Sequence, residues 1–337
     1  MSSIREVAER AGVSLGTVSN VLNHPEIVAE TTRQRVQSVI DELGFVRNGS
    51  AHQLRAGHSR HLGLVVLDVT NPFFTEVARG VEDAANEAGY VVILCNSDDS
   101  LEKENRYLRV LEEQRSAGIL ITPLQNDVGY LQRLRRQEMA IVLLDRPSRA
   151  RDLCSVAVDD VLGGELATRH LLELGHRCIA FISGPLNIRQ CAERRRGMRR
   201  AVKASGLDPD QVIVEIPAAA QNSSAGEKCV EVLLSDSRKP TAAFCANDLI
   251  ALGVMRGLIQ RGVKVPDEMA LVGYDDVEFA SVLSPALTSI RQPKYQLGRA
   301  AAELLLEEIS GTEEHQHKQI TYQPELIVRA TTVATKK

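Results

Sequence analysis

The sequence predicts an all-α helix-turn-helix head followed by an α/β core with two doubly wound, parallel-sheet subdomains. Three observations carry this prediction. Apolar residues recur at helical spacing in three short segments between residues 4 and 43. From residue 62 onward, short apolar runs alternate with amphipathic stretches, which is the βα pattern of a parallel sheet. The chain has 337 residues, 44% of them hydrophobic, and is long enough for two or three cores.

The head is predicted as three short helices, over 4–11, 15–22 and 33–43. A hydroxyl side chain stands before each one and is its expected N-cap: Ser3, Ser14 and Thr31. Gly12 and Gly44 supply the positive φ that ends a helix and allows a tight turn. The first helix is expected to bury the face formed by Ile4, Val7, Ala8 and Ala11. Two short helices across a glycine-containing turn, braced by a third, form the minimal unit that places a helix in the DNA major groove.

A short polar segment, 47–60, follows the head and is predicted as a hinge helix or linker. Gly49 lies inside it, and glycine in a helix interior costs about 1 kcal/mol relative to alanine. We therefore expect the hinge to become ordered only when it docks. The predicted limits are 1–46 for the head and 61–337 for the core. Within the core, one subdomain is expected over about 61–159 plus 292–321, and the other over about 160–291 plus 322–337.

The core reads as two successive βα series. In the first series, strands are expected near 62–67, 91–95, 118–121, 141–144 and 156–158. In the second series, they are expected near 178–182, 212–215, 242–245 and 270–272. The tail predicts a strand, a helix and two more strands, at 288–291, 295–309, 319–323 and 325–329. These last elements would return the chain to the first subdomain and back.

Charge and cysteine usage limit the function classes. The net charge is −4, with +1 on residues 1–61 and −5 on the remainder. One head therefore holds DNA phosphates weakly, and we expect a homodimer that relies on specific contacts. The six cysteines form no CxxC pair, which favours reduced thiols in a cytoplasmic protein over a disulfide or metal framework. No signal peptide or long apolar run is present, so we expect neither export nor a membrane span.

The sequence lacks the motifs of several common catalytic and cofactor sites. It contains no GxxxxGK phosphate loop, no GxGxxG dinucleotide fingerprint and no HExxH metal motif. No nucleophile with a paired base stands out, so we expect no enzyme activity, no cofactor and no metal. His315 and His317 lie in a polar connector between Gly311 and Lys318. A metal site is one interpretation of this connector, and a solvated loop is the one we favour.

The most specific motif is the opening string at 4–23, IREVAERAGVSLGTVSNVLN, with VAETTR at 28–33. Weaker motifs follow at 71–74 (NPFF), 158–160 (VDD), 184–185 (GP), 240–242 (PTA), 247–248 (ND) and 272–276 (VGYDD). In order and spacing, the set resembles the lactose/galactose repressor (LacI–GalR) family of bacterial transcription regulators over nearly the whole chain. The resemblance implies a periplasmic-binding-protein-like core that dimerises, a hinge helix, a palindromic DNA operator and a small molecule that changes operator affinity.

By this resemblance, Leu15, Gly16 and Asn20 occupy the base-reading positions of the second helix. The Asn20 amide can pair with N6 and N7 of adenine, and Leu15 can contact a thymine methyl group. Gly16 permits close approach. A helix-end cap is the alternative role for Asn20. Thr17 and Ser19 are expected to contact phosphates, which fixes register without reading sequence.

Leu54 lies in the polar hinge without an evident core to join. The resemblance implies that it is a wedge that enters a central base step from the minor groove and kinks the duplex. Packing on its own head is the alternative. The hinge departs from the family pattern, because Arg47 replaces a frequent proline and Gly49 and His52 lie within the helix.

Ligands of open α/β sheets bind beyond the carboxyl ends of the strands, so residues that follow predicted strands are the candidates. These residues are rich in planar hydrogen-bonding side chains and include two adjacent phenylalanines, a mixture that suits a sugar. The resemblance to ribose-type binding proteins is closest at Asn71, Phe73, Phe74, Arg194, Asn247, Asp275 and Gln292. It implies that Phe73 stacks on the ligand and that the polar side chains bind its hydroxyl groups.

Arg146 and Asp159 also follow predicted strands, as does Asp145, with strand-end or hinge structure as an equal interpretation. Phe74 also fits a core position. Near Gln221, where relatives often place a second stacking aromatic, the sequence has only small and amide side chains. This gap weakens both a ribose and a purine assignment, but a purine normally stacks on two sides, so we favour a carbohydrate.

We therefore expect a repressor of a carbohydrate-utilisation operon that a monosaccharide or a derivative releases from its operator. One alternative is a regulator that responds to a purine or a protein corepressor. A second, from a different class, is an α/β sugar-processing enzyme. A third, a periplasmic sugar-binding protein, conflicts with the DNA-reading head.

Overall fold

In a computed structural model, the described residues are 3–45, 59–124, 129–148, 153–311 and 315–333. The chain divides into two compact units, Met1–Ser59 and Arg60–Lys337. Leu54 and the predicted hinge residues 47–58 lie outside the described residues. Among those that are described, no helix has both the length and the apolar character needed to cross a bilayer.

The head contains helices α1, α2 and α3, at Ile4–Ala11, Leu15–Asn23 and Glu30–Leu43, with a short 3₁₀ helix at Pro25–Ile27. The predicted caps of α1 and α2 are present: the Ser3 hydroxyl accepts the Glu6 N–H at 3.2 Å, and the Ser14 hydroxyl accepts the Thr17 N–H at 3.1 Å. The three helices share one small core, formed by Val7, Ala8, Ala11, Val18, Val21, Val36, Val39 and Ile40.

Two details of the head differ from the prediction. The third helix begins at Glu30, not Arg33, and Ala29 is its N-cap residue without a side-chain hydrogen bond. Thr31 therefore lies inside the helix and is not its cap. The first turn is stabilised instead by Glu30. The Glu30 carboxylate is favourable near the positive helix end and bonds both Arg33 and Gln34. Ile4 is exposed, because the other two helices cover only the later part of α1.

The first sheet of the core has six parallel strands in the order β11-β5-β4-β3-β1-β2. In chain order they are β1 His61–Val66, β2 Val91–Asn96, β3 Gly118–Ile121, β4 Ala140–Leu144, β5 Cys154–Val158 and β11 Gln319–Tyr322. The central strands are buried on both faces, which explains why they read as continuous apolar runs.

The second sheet also has six strands, in the order β12-β10-β9-β8-β6-β7. They are β6 Ile179–Ser183, β7 Ile213–Pro217, β8 Ala242–Cys245, β9 Ala270–Asp275, β10 Thr288–Arg291 and β12 Glu325–Ile327. All neighbours are parallel except β10 and β12, which run antiparallel. The chain therefore passes between the two sheets three times, as the tail pattern predicts.

Ten helices of the described core cover the sheets: α4 Pro72–Glu87, α5 Leu101–Glu113, α6 Gly129–Arg136, α7 Asp160–Glu173, α8 Arg189–Ala204, α9 Pro209–Val212, α10 Ser223–Ser235, α11 Asp248–Gln260, α12 Glu278–Val282 and α13 Lys294–Ile309. The two shortest, α9 and α12, were not predicted, because a single turn carries no periodicity. Helices α4 and α13 touch through glycines: a Cβ atom on Gly298 would lie 2.0 Å from the Val77 carbonyl oxygen.

Candidate functional site

The carboxyl ends of the two sheets meet around one small polar cavity of about 30 Å³. Six predicted residues line it: Asn71, Phe73, Phe74, Arg194, Asn247 and Asp275. Five further lining residues are Leu67, Asp145, Ile188, Gln190 and Gln221. A volume of this size accommodates only one or two water molecules, so the two sheets approach each other closely at the candidate site.

Asn71 and the two phenylalanines belong to the start of α4. The Asn71 side chain caps this helix by accepting the Phe73 N–H at 3.0 Å. Phe73 and Phe74 are both buried and meet edge to face, with ring centroids 5.0 Å apart and an interplanar angle of 81°. The cap and the ring contact fix the apolar wall of the cavity.

Among the acids that line the cavity, Asp275 has the most hydrogen-bond partners in the described residues. Its carboxylate accepts from Gln292 Nε2 at 2.7 Å and from Asn71 Nδ2 at 3.2 Å. Lys294 Nζ donates to the Asp275 carbonyl oxygen at 3.0 Å. Burial nevertheless raises the pKa of Asp275 to about 6, because desolvation outweighs Arg194 and the hydrogen bonds. Gln292 thus orients Asp275 by a hydrogen bond and does not line the cavity itself.

Arg194 on α8 is buried and holds a fixed orientation. Its Nε donates to Asp160 Oδ1 at 2.7 Å and its Nη1 to the Ala246 carbonyl oxygen at 2.6 Å. Its guanidinium carbon lies 3.6 Å from the centre of the Tyr274 ring. Burial lowers the pKa of Arg194, but the carboxylates around it, Asp160 first, raise it further, so the guanidinium stays charged.

Asp145 follows β4 and faces α8 across the cleft. Gln190 Nε2 donates to both the backbone oxygen and Oδ2 of Asp145, each at 2.9 Å. Burial and the neighbouring Asp160 raise the pKa of Asp145 well above its usual value. Its φ of 52° lies in the left-handed region, which non-glycine residues adopt uncommonly.

Direct hydrogen bonds therefore join the lobes built on the first and second sheets, among them those that Lys294 of α13 donates to the Asp275 and Asp276 carbonyl oxygens. Asn71 from the first lobe bonds Asp275 from the second, and Asp145 from the first bonds Gln190 from the second. Several polar groups that a ligand would use are thus satisfied by each other, whereas the buried Asp145 Oδ1 has no hydrogen-bond partner among the described residues. Ligand entry requires these pairs to separate.

Two predicted ligand residues lie elsewhere. Arg146 is buried, but its Nη1 donates to the Pro123 carbonyl oxygen at 3.0 Å. Asp159 caps α7 by accepting the Leu162 N–H at 2.9 Å. Neither lines the cavity, which agrees with the structural interpretation left open for both.

Four residues that line the cavity were not predicted as ligand residues: Leu67, Ile188, Gln190 and Gln221. Gln221 occupies the place where a second stacking aromatic was missing, and its carbonyl oxygen accepts from Asn247 Nδ2 at 3.0 Å. Gln190 and Ile188 follow β6, so the strand-end rule includes them in its range. No chemical feature separates Gln190 from its polar neighbours along the chain.

The second helix of the head presents its predicted reading residues outward. Leu15 is 45% exposed, and Gly16 and Asn20 are exposed as well. Thr17 and Ser19 are half-buried, and their hydroxyl groups bond Ser14 and Asn23 within the head. The opposite face supplies Val18 and Val21 to the core.

Family comparisons match both units of the chain. Residues 3–48 match the model described as bacterial regulatory proteins, lacI family. Residues 168–332 match a periplasmic binding protein-like domain. The HTH-type transcriptional repressor PurR of Aliivibrio fischeri (strain MJ11) is 36% identical over 333 residues, which cover 98% of both chains. PurR of Vibrio campbellii is 38% identical over 340 residues, with the same coverage.

Solved structures with the same fold include three that contain ligands. The Lac repressor dimer bound to operator and the anti-inducer ONPF is 27% identical, with a TM-score of 0.84 over 99% of both chains. The CelR–cellobiose complex is 31% identical, with a TM-score of 0.72 over 98% of this chain and 100% of that one. A LacI family regulator of Enterococcus faecium with bound ribose is 30% identical, with a TM-score of 0.75 over 82% of this chain and all of that one.

Proposed function

The chain belongs to the LacI family of bacterial regulatory proteins and is a DNA-binding transcriptional repressor with an effector-binding domain. We propose that its effector is a monosaccharide or a close derivative. The proposed binding site is the cavity between the lobes. The repressor releases its palindromic operator when the sugar binds, and the regulated genes serve carbohydrate utilisation.

The chemistry of the cavity wall carries this proposal. Asp145, Gln190, Gln221, Asn247 and Asp275 present amide and carboxylate groups to a space with one aromatic pair on one side. A sugar needs many directional hydrogen bonds and one apolar face. The cellobiose and ribose complexes of family members are consistent with a sugar-binding cleft in this fold.

The cross-cleft pairs provide the coupling element. Small-molecule pockets generally have volumes of about 300–1,000 Å³, far above the present 30 Å³. A sugar must therefore replace the Asn71–Asp275 and Asp145–Gln190 hydrogen bonds and change the separation of the lobes. A ligand shifts operator affinity only by its differential affinity for the two arrangements, commonly about 5–150-fold.

We propose that Leu15, Gly16 and Asn20 read bases, whereas Thr17 and Ser19 contact phosphates. The exposure of these three residues supports base reading, because none of them is buried in the head core. The hydroxyl bonds of Thr17 and Ser19 leave lone pairs and protons that suit phosphate contacts. Leu54 remains the proposed minor-groove wedge.

We also propose a homodimer, for which the Lac repressor dimer is the structural precedent. Edge strand β2 exposes three apolar side chains, Val91, Ile93 and Leu94. An exposed apolar edge strand invites pairing or coverage by another chain. The domain limits 1–46, 47–60 and 61–337 stand as part of this proposal.

The sugar assignment is tested with an operator selected from a library of palindromic duplexes that the full chain binds. Fluorescence anisotropy at fixed salt measures operator affinity with and without ribose, then with hexoses and deoxysugars. We expect one sugar to lower operator affinity by about 5–150-fold and to give a calorimetric binding signal. If each sugar leaves affinity unchanged or increases it, the proposed inducer role is wrong.

A purine is the second candidate, favoured by 36% identity over 98% of the chain with a repressor named PurR. Purine bases therefore belong in the same titrations. If a purine increases operator affinity and no sugar changes it, the effector is a purine corepressor and not a sugar. The Phe73→Leu variant separates a stacking ligand from one that binds only the polar wall.

A further inference from the structure

Four metal-ligating side chains meet at the edge of the first sheet opposite the effector cavity. Cys154 is the first residue of β5, Glu308 lies in the last turn of α13, and His315 and His317 precede β11. Because β5 and β11 are parallel neighbours, residues just before β11 lie beside the start of β5. One ligand atom of each side chain lies within 4.8 Å of the other three.

The measured separations match those of ligands around one zinc ion. Cys154 Sγ lies 3.3 Å from His315 Nε2 and 3.6 Å from His317 Nδ1. With Zn–S near 2.3 Å and Zn–N near 2.0 Å, a tetrahedral ion places its sulfur and nitrogen ligands about 3.5 Å apart. The side chains therefore need little rearrangement to share a metal.

Burial and charge also fit a divalent ion. Cys154 is fully buried, and Glu308, His315 and His317 are half-buried, which leaves a path from solvent. Glu308 Oε2 is buried and has no hydrogen-bond partner among the described residues. A thiolate and a carboxylate would together neutralise Zn²⁺. The Lys318 N–H, which donates to Cys154 Sγ at 3.4 Å, would support the thiolate.

Arg135 is the group that competes with the metal. Its Nη2 lies 3.0 Å from His317 Nε2, and its Nε lies 4.0 Å from Glu308 Oε1. A metal on His317 Nδ1 requires the proton to be on Nε2, so the guanidinium must turn away from this nitrogen. In the absence of metal, the same guanidinium balances the Glu308 charge.

We propose that Cys154, Glu308, His315 and His317 form a structural zinc site that fastens the connector before β11 to the start of β5. The signal is hard to see in the sequence, since the cysteine and the histidines are far apart along the chain and lack the usual short ligand spacing. The proposal takes up the metal-site interpretation that the sequence left open for His315 and His317 beside a solvated loop. It is independent of the effector.

The test titrates Co²⁺ into the full, tag-free chain after EDTA treatment and dialysis. We expect one Co²⁺ per chain, with a thiolate-to-cobalt charge-transfer band in the near ultraviolet and tetrahedral d–d bands in the visible. Zn²⁺ should displace the Co²⁺ and remove both bands. Absence of the thiolate band in the parent chain overturns the proposal.

Variants locate the site. Cys154→Ser should abolish the charge-transfer band, whereas Cys178→Ser, which changes a cysteine of the other lobe, should retain it. His315→Gln alters a half-buried side chain and should lower Co²⁺ affinity at least about tenfold, since even supporting residues contribute about 10–100-fold. This second variant keeps the test decisive if Cys154→Ser does not fold. A band that persists in folded Cys154→Ser, or parental affinity in His315→Gln, refutes the assignment.

Discussion

Asp275 and Asp276 are adjacent acids whose environments shift their pKa values in opposite directions. Asp275 is fully buried, and its pKa rises from 3.8 to about 6. Burial also acts on Asp276, but Arg329 and Arg291 bind its carboxylate at 2.6 and 2.7 Å and lower its pKa. The pair therefore tests whether burial or charge pairing controls each acid of the cleft.

The Asp275→Asn variant removes one titration from the folded chain. In the parent, the folded state holds this proton more tightly than the unfolded state does. Its contribution to stability is fully present below about pH 4 and is lost as the pH rises through about 6. A pKa difference of about 2 corresponds to about 3 kcal/mol. The free energy of unfolding of the variant, relative to the parent, should therefore increase by up to about 3 kcal/mol between about pH 4 and 7.

Urea unfolding followed by far-ultraviolet circular dichroism measures this difference, since the chain contains no tryptophan. Gln292 and Asn71 donate to different oxygens of Asp275. The substitution replaces one of these oxygens with an NH2 donor, so one hydrogen bond is lost, but that loss is independent of pH and cancels from the slope. The Asp276→Asn control should show the opposite pH dependence. Its free energy of unfolding should be lower than that of the parent at neutral pH, and this difference should shrink as the pH falls through the lowered pKa of Asp276. Parallel curves for Asp275→Asn and the parent would refute the burial argument.

Three other substitutions test the packing, the head and the dimer. Gly298→Ala places a Cβ atom 2.0 Å from the Val77 carbonyl oxygen and should lower the core melting temperature sharply in calorimetry. The control Gly16→Ala meets only a side-chain oxygen at 3.6 Å and should leave folding intact. Equal melting temperatures for Gly298→Ala and the parent would contradict the close approach. Ser14→Ala removes the cap of α2 and should destabilise the head by about 1 kcal/mol, measured by thermal unfolding of the isolated unit if it folds. Ile93→Asp should convert a dimer to monomers in light scattering and weaken operator binding; a retained dimer would place the interface elsewhere.

Short-range signals in the sequence predicted most of the fold. Capping serines and the αL glycines Gly12 and Gly44 located the first two helices of the head and the end of the third, because these interactions lie within three or four residues along the chain. The start of the third helix was wrong, since Glu30 stabilises the first turn through its charge and not as a cap. Buried strands were recognised as apolar runs, with ends that shifted by up to three residues.

The candidate site was harder to predict, because its geometry depends on long-range contacts. The strand-end rule selected Asn71, Phe73 and Asp275, but it could not reveal that Gln190 would bond Asp145 across the cleft. It also grouped Arg146 with the ligand residues, although the arginine turns toward Pro123. Side-chain direction at a strand end is decided by the neighbouring strands and helices, which periodicity does not encode.

The order of the strands affects how the protein must be made. Strand β11 pairs with β5, and β12 pairs with β10, so each sheet receives an edge strand from the final part of the chain. As the ribosome releases the chain from its N-terminus, the first sheet cannot be completed until β11 has emerged, and the second sheet cannot be completed until β12 has emerged. The three head helices contact one another within a short stretch of the chain, so the head can fold early. A nascent chain can thus carry a folded DNA-reading head before it has a finished core to control it.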